Sequence, residues 1–303
     1  MPSNFGRTLG PVIDLRRLEA LVAVHRTGGV SAAAETLHYG QPTISHHLRR
    51  LEAETGSVLL QRVGRGIRLT PDGVRLAQRG EEILGLLARA EAELSAATSL
   101  QAGTVRVAAF PSGAATLVPA AVTLLAERHP GLSLDLIEAE PPEAADLLRA
   151  GGADLALTFA YPDQPEAGAI TSTTVLEDPL YLVGAAGTDL GGPDEGLARF
   201  ADTRWVTGCE RCRRELLALC ESAGFAPRIA FASDDYVAVQ SLVATGLGVT
   251  VLPGLALRAH QHPEVVRRPV PGAARRVQVS TYGAAPAPAA VTAVALALQD
   301  AAR

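Results

Sequence analysis

The chain has 303 residues, 48% apolar and 19% charged, enough for two domains and a substantial buried core. No apolar run reaches the roughly 18 residues of a membrane span, and the opening MPSNFGRTLGPVID lacks the apolar core and cleavage site of a secretory signal, so no membrane partner is expected. Three cysteines, an odd number, argue against a disulfide framework and for a reduced, cytoplasmic setting.

The net charge of −5 is unevenly spread. Residues 1–70 carry nine arginines against five acids (Asp14, Glu19, Glu35, Glu52, Glu54), and the remainder carries eighteen against twenty-seven. An amino-terminal segment at +4 beside a remainder at −9 suits a polyanionic partner for the first part only.

Asp14 is placed to cap a helix from Leu15 to about Arg26 with Leu15, Leu18, Leu21, Val22 and Val24 on or near one face, and Thr27-Gly28-Gly29 ends it. Ser31 opens a short second helix to Leu37 whose small residues let a neighbour approach. His38-Tyr39-Gly40-Gln41 forms a turn, and Pro42 starts a third helix to about Thr55, with Ile44, Leu48 and Leu51 inward and Gly56 stopping it. Helix, tight turn and helix with a polar start is a helix-turn-helix pattern, whose second helix enters a DNA major groove. Gln41, Thr43, Ser45, His46 and His47 are donors and acceptors suited to base edges and phosphates, and no carboxylate stands in that turn. Ser31, Pro42 and Arg49 complete the expected DNA-facing set on these helices. Two strand-like runs around Gly64-Arg65-Gly66 follow, a hairpin with Arg62, Arg65 and Arg68 placed as a wing on adjacent phosphates.

The stretch LRRLEALVAVHRTGGVSAAAETLHYGQPTISHHLRRLEAETG, followed by LLQRVGRGIRLTPDG, resembles the LysR-type transcriptional regulators. It carries the small-residue second helix, the Gln-Pro opening of the third, an internal Ser, a Leu-Glu pair and Leu-Thr-Pro-x-Gly after the wing. Ser45-His46-His47 stands where many members have Ser-Arg-Gln, which bears on base preference. Leu60 stands where an aromatic is common, a packing variant.

Thr70 caps a further helix, with Pro71 at its first position and an apolar stripe through Val74, Leu76, Ala77, Ile83, Leu84, Leu87, Ala90 and Leu94 to about Thr98. A stripe of that length calls for a partner helix, and the resemblance implies its twin in a homodimer or homotetramer. From Thr104 strands and helices alternate: strand 104–110, helix 114–129, strand 132–138, helix 142–150 and strand 154–159. Then come strand 180–183, a Gly/Asp/Pro-rich loop at 184–196, strand 205–207, helix 209–223, strand 229–232, helix 235–244 and strand 249–252. Strands near 265–270 and 276–282 and a closing helix over 287–302 complete the chain. This reads as α/β packing on a mainly parallel sheet.

The expected whole is an α+β multidomain protein: a winged helix-turn-helix over 11–70, a linker helix over 71–102 and an effector domain over 103–303. The resemblance implies two subdomains like those of periplasmic binding proteins, about 103–178 plus 271–303 and 179–270. Ligands of such sheets sit where strands end and helices begin. The Phe110-Pro111-Ser112-Gly113 and Val206-Thr207-Gly208-Cys209 junctions are therefore candidates for an anionic effector, with Thr158 and Phe159 at the end of another strand. Ser112, Gly113, Thr158, Phe159, Thr207, Gly208 and Cys209 form that candidate set.

Cys209-Glu210-Arg211-Cys212 lies at a helix start with Cys220 eight residues on. Structural thiols are the favoured reading, with oxidation or metal sensing through Cys209, Cys212 and Cys220 as the alternative signal. Only the distant His260 or His262 adds ligand candidates, so no metal site and no cofactor is expected. The chain shows no nucleophile elbow and no glycine-rich dinucleotide fingerprint, which excludes the usual enzyme readings. The expected partners are double-stranded DNA, a small-molecule co-inducer, a second copy of the chain and, through promoter control, RNA polymerase. An architectural DNA-binding protein without an effector is the remaining rival.

Overall fold

The computed structural model describes residues 13–63, 66–96, 103–162, 170–192, 194–283 and 287–303. The chain divides into two compact units, Met1–Leu94 with Arg149–Gly152, and Ser95–Leu148 with Ala153–Arg303.

The first unit opens with α1 (Leu15–Thr27), α2 (Val30–Thr36) and α3 (Gln41–Thr55). Asp14 caps α1 by accepting the Arg16 N–H at 2.9 Å, and Gly28 closes it in the left-handed conformation. Leu21 and Val24 of α1 meet Ala33 of α2 and Ile44, Leu48 and Leu51 of α3 in one core. Two alanines on α2 are wholly or nearly buried, so the three backbones approach closely. The turn into α3 passes through His38 at φ +54°, a left-handed residue without glycine, and Gly40 caps α3. Strands β1 (Leu60–Val63) and β2 (Gly66–Leu69) pair antiparallel, Leu60 opposite Leu69 and Arg62 opposite Ile67. Arg65 lies outside the described residues. The Glu52 carboxylate of α3 accepts the Leu59 and Leu60 N–H groups at 2.8 and 3.1 Å, which fixes the wing's entry to the recognition helix.

Helix α4 (Pro71–Ala96) is capped by Thr70, whose hydroxyl accepts the Gly73 N–H at 3.0 Å. Its beginning packs on α1 through buried Ala77 and through Gly80, which a Cβ would drive into Leu18 and Val22. Further along, Ile83, Leu86 and Leu87 are exposed.

The second unit is built on a six-stranded sheet in the order β4-β3-β5-β10-β6-β9. It contains β3 (Gly103–Ala109), β4 (Leu132–Glu138), β5 (Leu155–Ala160), β6 (Ile170–Ala185), β9 (Thr250–Pro253) and β10 (Val265–Tyr282). Only β3 pairs in parallel, with β4 and β5; the β10 and β6 ladders are antiparallel. The sheet is therefore mixed, not mainly parallel. The two segments expected near 265–270 and 276–282 form the single strand β10, which with β6 crosses the expected subdomain limits at 178/179 and 270/271. Pro179 and Pro269 break the strand pattern in the sequence, and both flank the β6/β10 register shift between Pro269 and Ala274, where a missing N–H is tolerated. A second pair, β7 (Arg204–Thr207) with β8 (Arg228–Ala232), is parallel and reaches Val249 through a bridge at Trp205.

Helices α5 (Pro111–Arg128), α6 (Pro141–Arg149), α7 (Glu210–Ser222), α8 (Tyr236–Ala244), α9 (Gly254–Ala259) and α10 (Ala289–Ala301) cover the sheets. Helix α5 begins three residues earlier than its apolar pattern suggests, because Pro111 occupies its first turn. That makes Ser112 a helical residue rather than a cap, with its hydroxyl free for another partner. Trp205, fully buried, donates its indole N–H to the Phe200 carbonyl at 3.2 Å, and Phe200 and Phe225 pack around it.

Gly73 leaves no room for a side chain: a Cβ would collide with the Leu59 carbonyl oxygen. Gly73→Ala is expected to destabilise the first unit by about 1–3 kcal/mol through backbone displacement. In thermal melts this lowers the first transition in far-UV circular dichroism. The fluorescence of Trp205, the sole tryptophan and a member of the other unit's core, reports an unmoved second transition.

Candidate DNA interface and effector cavity

Along α3 the inward face is Ile44, Leu48 and Leu51, so the helical period turns Gln41, Pro42, Thr43, His46 and Arg49 to the exposed side. Ser45 and His47 are half-buried at the edge of that face. The first turn of α3 holds no acidic side chain. The His47 ring lies 6.0 Å from Tyr39 and 6.3 Å from His46, and the Arg49 Nε donates to the Ser45 carbonyl at 3.2 Å. Ser31 on α2 and Arg62 and Arg68 on the wing are exposed. The exposed surface of this unit thus offers hydrogen-bonding groups on one helix and guanidinium groups on the hairpin beside it.

In the second unit the site grows from a cross-strand pair. Asp178 of β6 lies directly opposite Arg275 of β10. Asp178 is in phase with the inward Leu180 and Leu182, and Arg275 with Val277 and Val279, so strand alternation buries both charges. Arg275 Nε donates to an Asp178 oxygen at 2.9 Å with both side chains 3% exposed or less. The other Asp178 oxygen accepts the Leu255 N–H at the start of α9, 3.0 Å away. Arg275 Nη2 donates to the Ser112 hydroxyl at 2.9 Å, and the guanidinium carbon sits 4.8 Å from the Phe110 ring centre and 4.5 Å from that of Phe159. Asp178, Ser112 and two aromatic faces thus surround the buried guanidinium.

A cavity of about 50 Å³ lies beside the pair. Of the residues expected to bind an effector, Ser112, Phe159, Gly208 and Cys209 line it. Gly113, Thr158 and Thr207 do not. Gly113 is the contact where α5 presses on Leu157 and Phe110. The Thr158 hydroxyl pairs with Ser280 at 3.1 Å within the sheet, and Thr207 is buried with its hydroxyl unpartnered. Strand alternation sends Thr158 and Phe159 to opposite faces, and only the Phe159 face meets the cavity.

The wall also includes Glu140, Asp234 and Arg275, which the sequence pattern does not single out, and Cys212, which it offers only for the alternative signal. The signal for Arg275 and Asp178 is present in the sequence as a charge at an inward strand position, once the strands are placed. Burial pushes the Glu140 carboxyl above its ordinary value and draws the Arg211 guanidinium below its own. Arg211 donates from Nη2 to the Phe159 carbonyl at 3.3 Å and lies 5.7 Å from that ring. His262 Nδ1 accepts the Glu264 N–H, and among the described residues no group of three or more His, Cys, Asp and Glu side chains gathers as a metal site.

Residues 15–74 match the bacterial regulatory helix-turn-helix protein, lysR family, and residues 98–303 match the LysR substrate binding domain. The chain belongs to the LysR-type transcriptional regulators. It is thus a helix-turn-helix regulator with an effector-binding domain, in a family of regulators rather than enzymes. It is 28% identical over 285 residues to the HTH-type transcriptional regulator TfdS of Cupriavidus pinatubonensis (strain JMP 134 / LMG 1197), covering 89% of this chain and 92% of that one. It is 27% identical over 275 residues to TcbR of Pseudomonas sp. (strain P51), covering 88% and 92%. In fold it is similar to full-length CbnR complexed with its target DNA, with a TM-score of 0.63 at 23% identity over 95% of this chain and 100% of that one. Among the described residues of this LysR-type regulator no helix is long and apolar enough to cross a membrane.

Asp178→Ala leaves Arg275 charged and buried without its partner, an expected loss of about 3–5 kcal/mol. Adding Arg275→Met removes the orphaned charge and recovers most of it. Urea unfolding followed by Trp205 fluorescence measures both; a single variant as stable as wild type contradicts the buried pair.

Proposed function

We propose that the protein reads a partly palindromic duplex site as a homodimer or homotetramer, and that a small molecule in the cavity of the second unit changes the arrangement of the protomers on DNA. The observation that carries the DNA reading is the exposed, carboxylate-free start of α3 beside the wing arginines. Thr43 and His46, with Gln41, Ser45 and His47 at their sides, reach base edges. Ser31 and the amino end of α3 at Pro42 approach the backbone. Arg49, Arg62 and Arg68 meet phosphates, and Arg65 between them in sequence is assigned the same role. CbnR, similar in fold, is seen complexed with its target DNA, which supports this use of the fold. The exposed Ile83, Leu86 and Leu87 of α4 form an apolar stripe that a second copy of the helix would cover. The setting is the cytoplasm, where a promoter-bound regulator meets RNA polymerase.

The cavity supports effector control through its size. At about 50 Å³ it is smaller than the roughly 300 Å³ and above of small-molecule pockets, so a metabolite would bind better to an arrangement in which the walls stand further apart. Differential affinity of that kind is what shifts a conformational equilibrium. Ser112 in the first turn of α5, with Gly208 and Cys209 immediately before α7, suits a carboxylate or another small anion.

Binding of the purified protein to the DNA upstream of its own gene, at two salt concentrations, tests the first half. The His46→Ala/His47→Ala variant is expected to lose selectivity for that DNA over an unrelated duplex while retaining salt-dependent background binding. Arg62→Ala/Arg68→Ala is expected to weaken binding to all duplexes and to flatten the log–log salt slope by about 2, roughly one per phosphate contact. Equal, sequence-independent binding by wild type and the histidine variant would move the architectural reading to the front.

A further inference from the structure

The cavity beside the Asp178–Arg275 pair carries more negative charge than positive. Glu140, immediately before α6, and Asp234, two residues before α8, both line it, with Arg275 as the basic residue of the wall. Arg275 gives its charge to Asp178 at 2.9 Å, and Asp178 stands outside the wall, so the balance met by a ligand is set by the two acids. Glu140 Oε2 is buried and has no hydrogen-bond partner. Burial is the main reason that its carboxyl lies above the ordinary value. The Cys209 thiol and the Arg275 and Arg211 charges act against burial, and the Asp234 charge adds to it. A buried carboxylate oxygen without a donor is costly, and a donor that arrives with a ligand removes that cost.

The same Cys209 marks the start of α7, where its side chain makes no capping hydrogen bond. The first-turn N–H groups of α7 are thus left for an anion, next to the Glu140 acceptor. A place for an anion and a place for a cation therefore adjoin, and much of the remaining wall, including Val239, Leu252 and Ala256, is apolar. A dicarboxylate would set its second charge beside Glu140 and Asp234. A plain amine would leave the α7 N–H groups unmet. An α-amino acid carries an ammonium and a carboxylate on one carbon, and an apolar side chain on it meets the rest of the wall.

We propose that the cavity takes a small α-amino acid with an apolar side chain, its ammonium group held by Glu140 with Asp234 and its carboxylate by the first turn of α7. This rests on the reading of the cavity as the effector site and names the class of molecule that enters it. The ammonium group brings three donors, one of which meets Glu140 Oε2 without any bond in the wall being broken. Glu140 is then the residue that separates an amino acid from the carboxylic acid of the same shape, because the acid lacking the amine leaves that oxygen buried and unpaired.

Isothermal titration of the full-length protein with L-alanine, L-valine, L-leucine, L-isoleucine and L-methionine tests the proposal. Each of the valine and leucine titrations is repeated with the deaminated acid (3-methylbutanoate, 4-methylpentanoate) and the decarboxylated amine (2-methylpropylamine, 3-methylbutylamine). At least one amino acid is expected to bind one per chain with a Kd below about 1 mM. Its deaminated and decarboxylated analogues should bind roughly 100-fold more weakly or worse. Glu140→Gln should weaken the amino acid at least about tenfold while leaving binding of the deaminated acid unchanged or improved, and Asp234→Asn should weaken it several-fold. A deaminated acid that binds wild type as tightly as its amino acid overturns the proposal, as does full amino-acid affinity in Glu140→Gln. Where that variant folds poorly, the analogue series on wild type decides alone. Carboxylate binding without amino-acid binding overturns the proposal and leaves effector control standing. Binding of no probe also overturns it, and whether a low-molecular-mass metabolite fraction shifts the protein–DNA complex then decides effector control by itself.

Discussion

The second unit turns on the buried pair between Asp178 and Arg275. Two charges removed from water are costly unless their remaining hydrogen-bonding capacity is met. Here Asp178 also holds the first N–H of α9, and Arg275 also holds Ser112 in the first turn of α5 while its guanidinium lies over two phenylalanine rings. One cross-strand contact thereby joins β6, β10, α5 and α9 at the strands that cross the sheet. Arg275 and Ser112 of this cluster also line the cavity, among mainly apolar neighbours.

That arrangement separates holding the wall from binding a ligand. Arg275 is committed to Asp178 and Ser112, so its charge reaches the cavity already partly neutralised. Burial raises the Glu140 carboxyl in the cavity wall and lowers the Arg211 guanidinium, each toward its neutral form.

The first unit solves a different problem. Its core sets the small Ala33 and Ala34 of α2 against Ile44, Leu48 and Leu51 of α3, which leaves the opposite face of α3 without apolar duties. Glu52, an acid on the recognition helix, is spent on the backbone of the wing entrance and not on the exposed face. Arg49, Arg62 and Arg68, by contrast, stand exposed.

The helix-turn-helix was legible in the sequence because its determinants are local. Asp14, Gly28, Pro42 and Gly56 mark the helix ends within a residue or so, and a period of 3.6 separates core from exposed positions on α3. The same local signals found the start of α7 within one residue but that of α5 three residues late, since Pro111 reads as a turn residue until a helix is seen to begin on it. The crossing strands were hidden by Pro179 and Pro269, which the sheet accommodates at a register shift that no local pattern announces. Thr158 and Thr207 read equally well as cavity hydroxyls, and only strand phase within the folded sheet turns them away. Asp178 and Arg275 are 97 residues apart, as a charge in each of two strands whose pairing is unspecified by either. Sequence therefore determined which segments form helices and where charge gathers. The tertiary structure decided which charges, hydroxyls and thiols face one another, because contacts between distant strands depend on register, and register is set by the whole sheet.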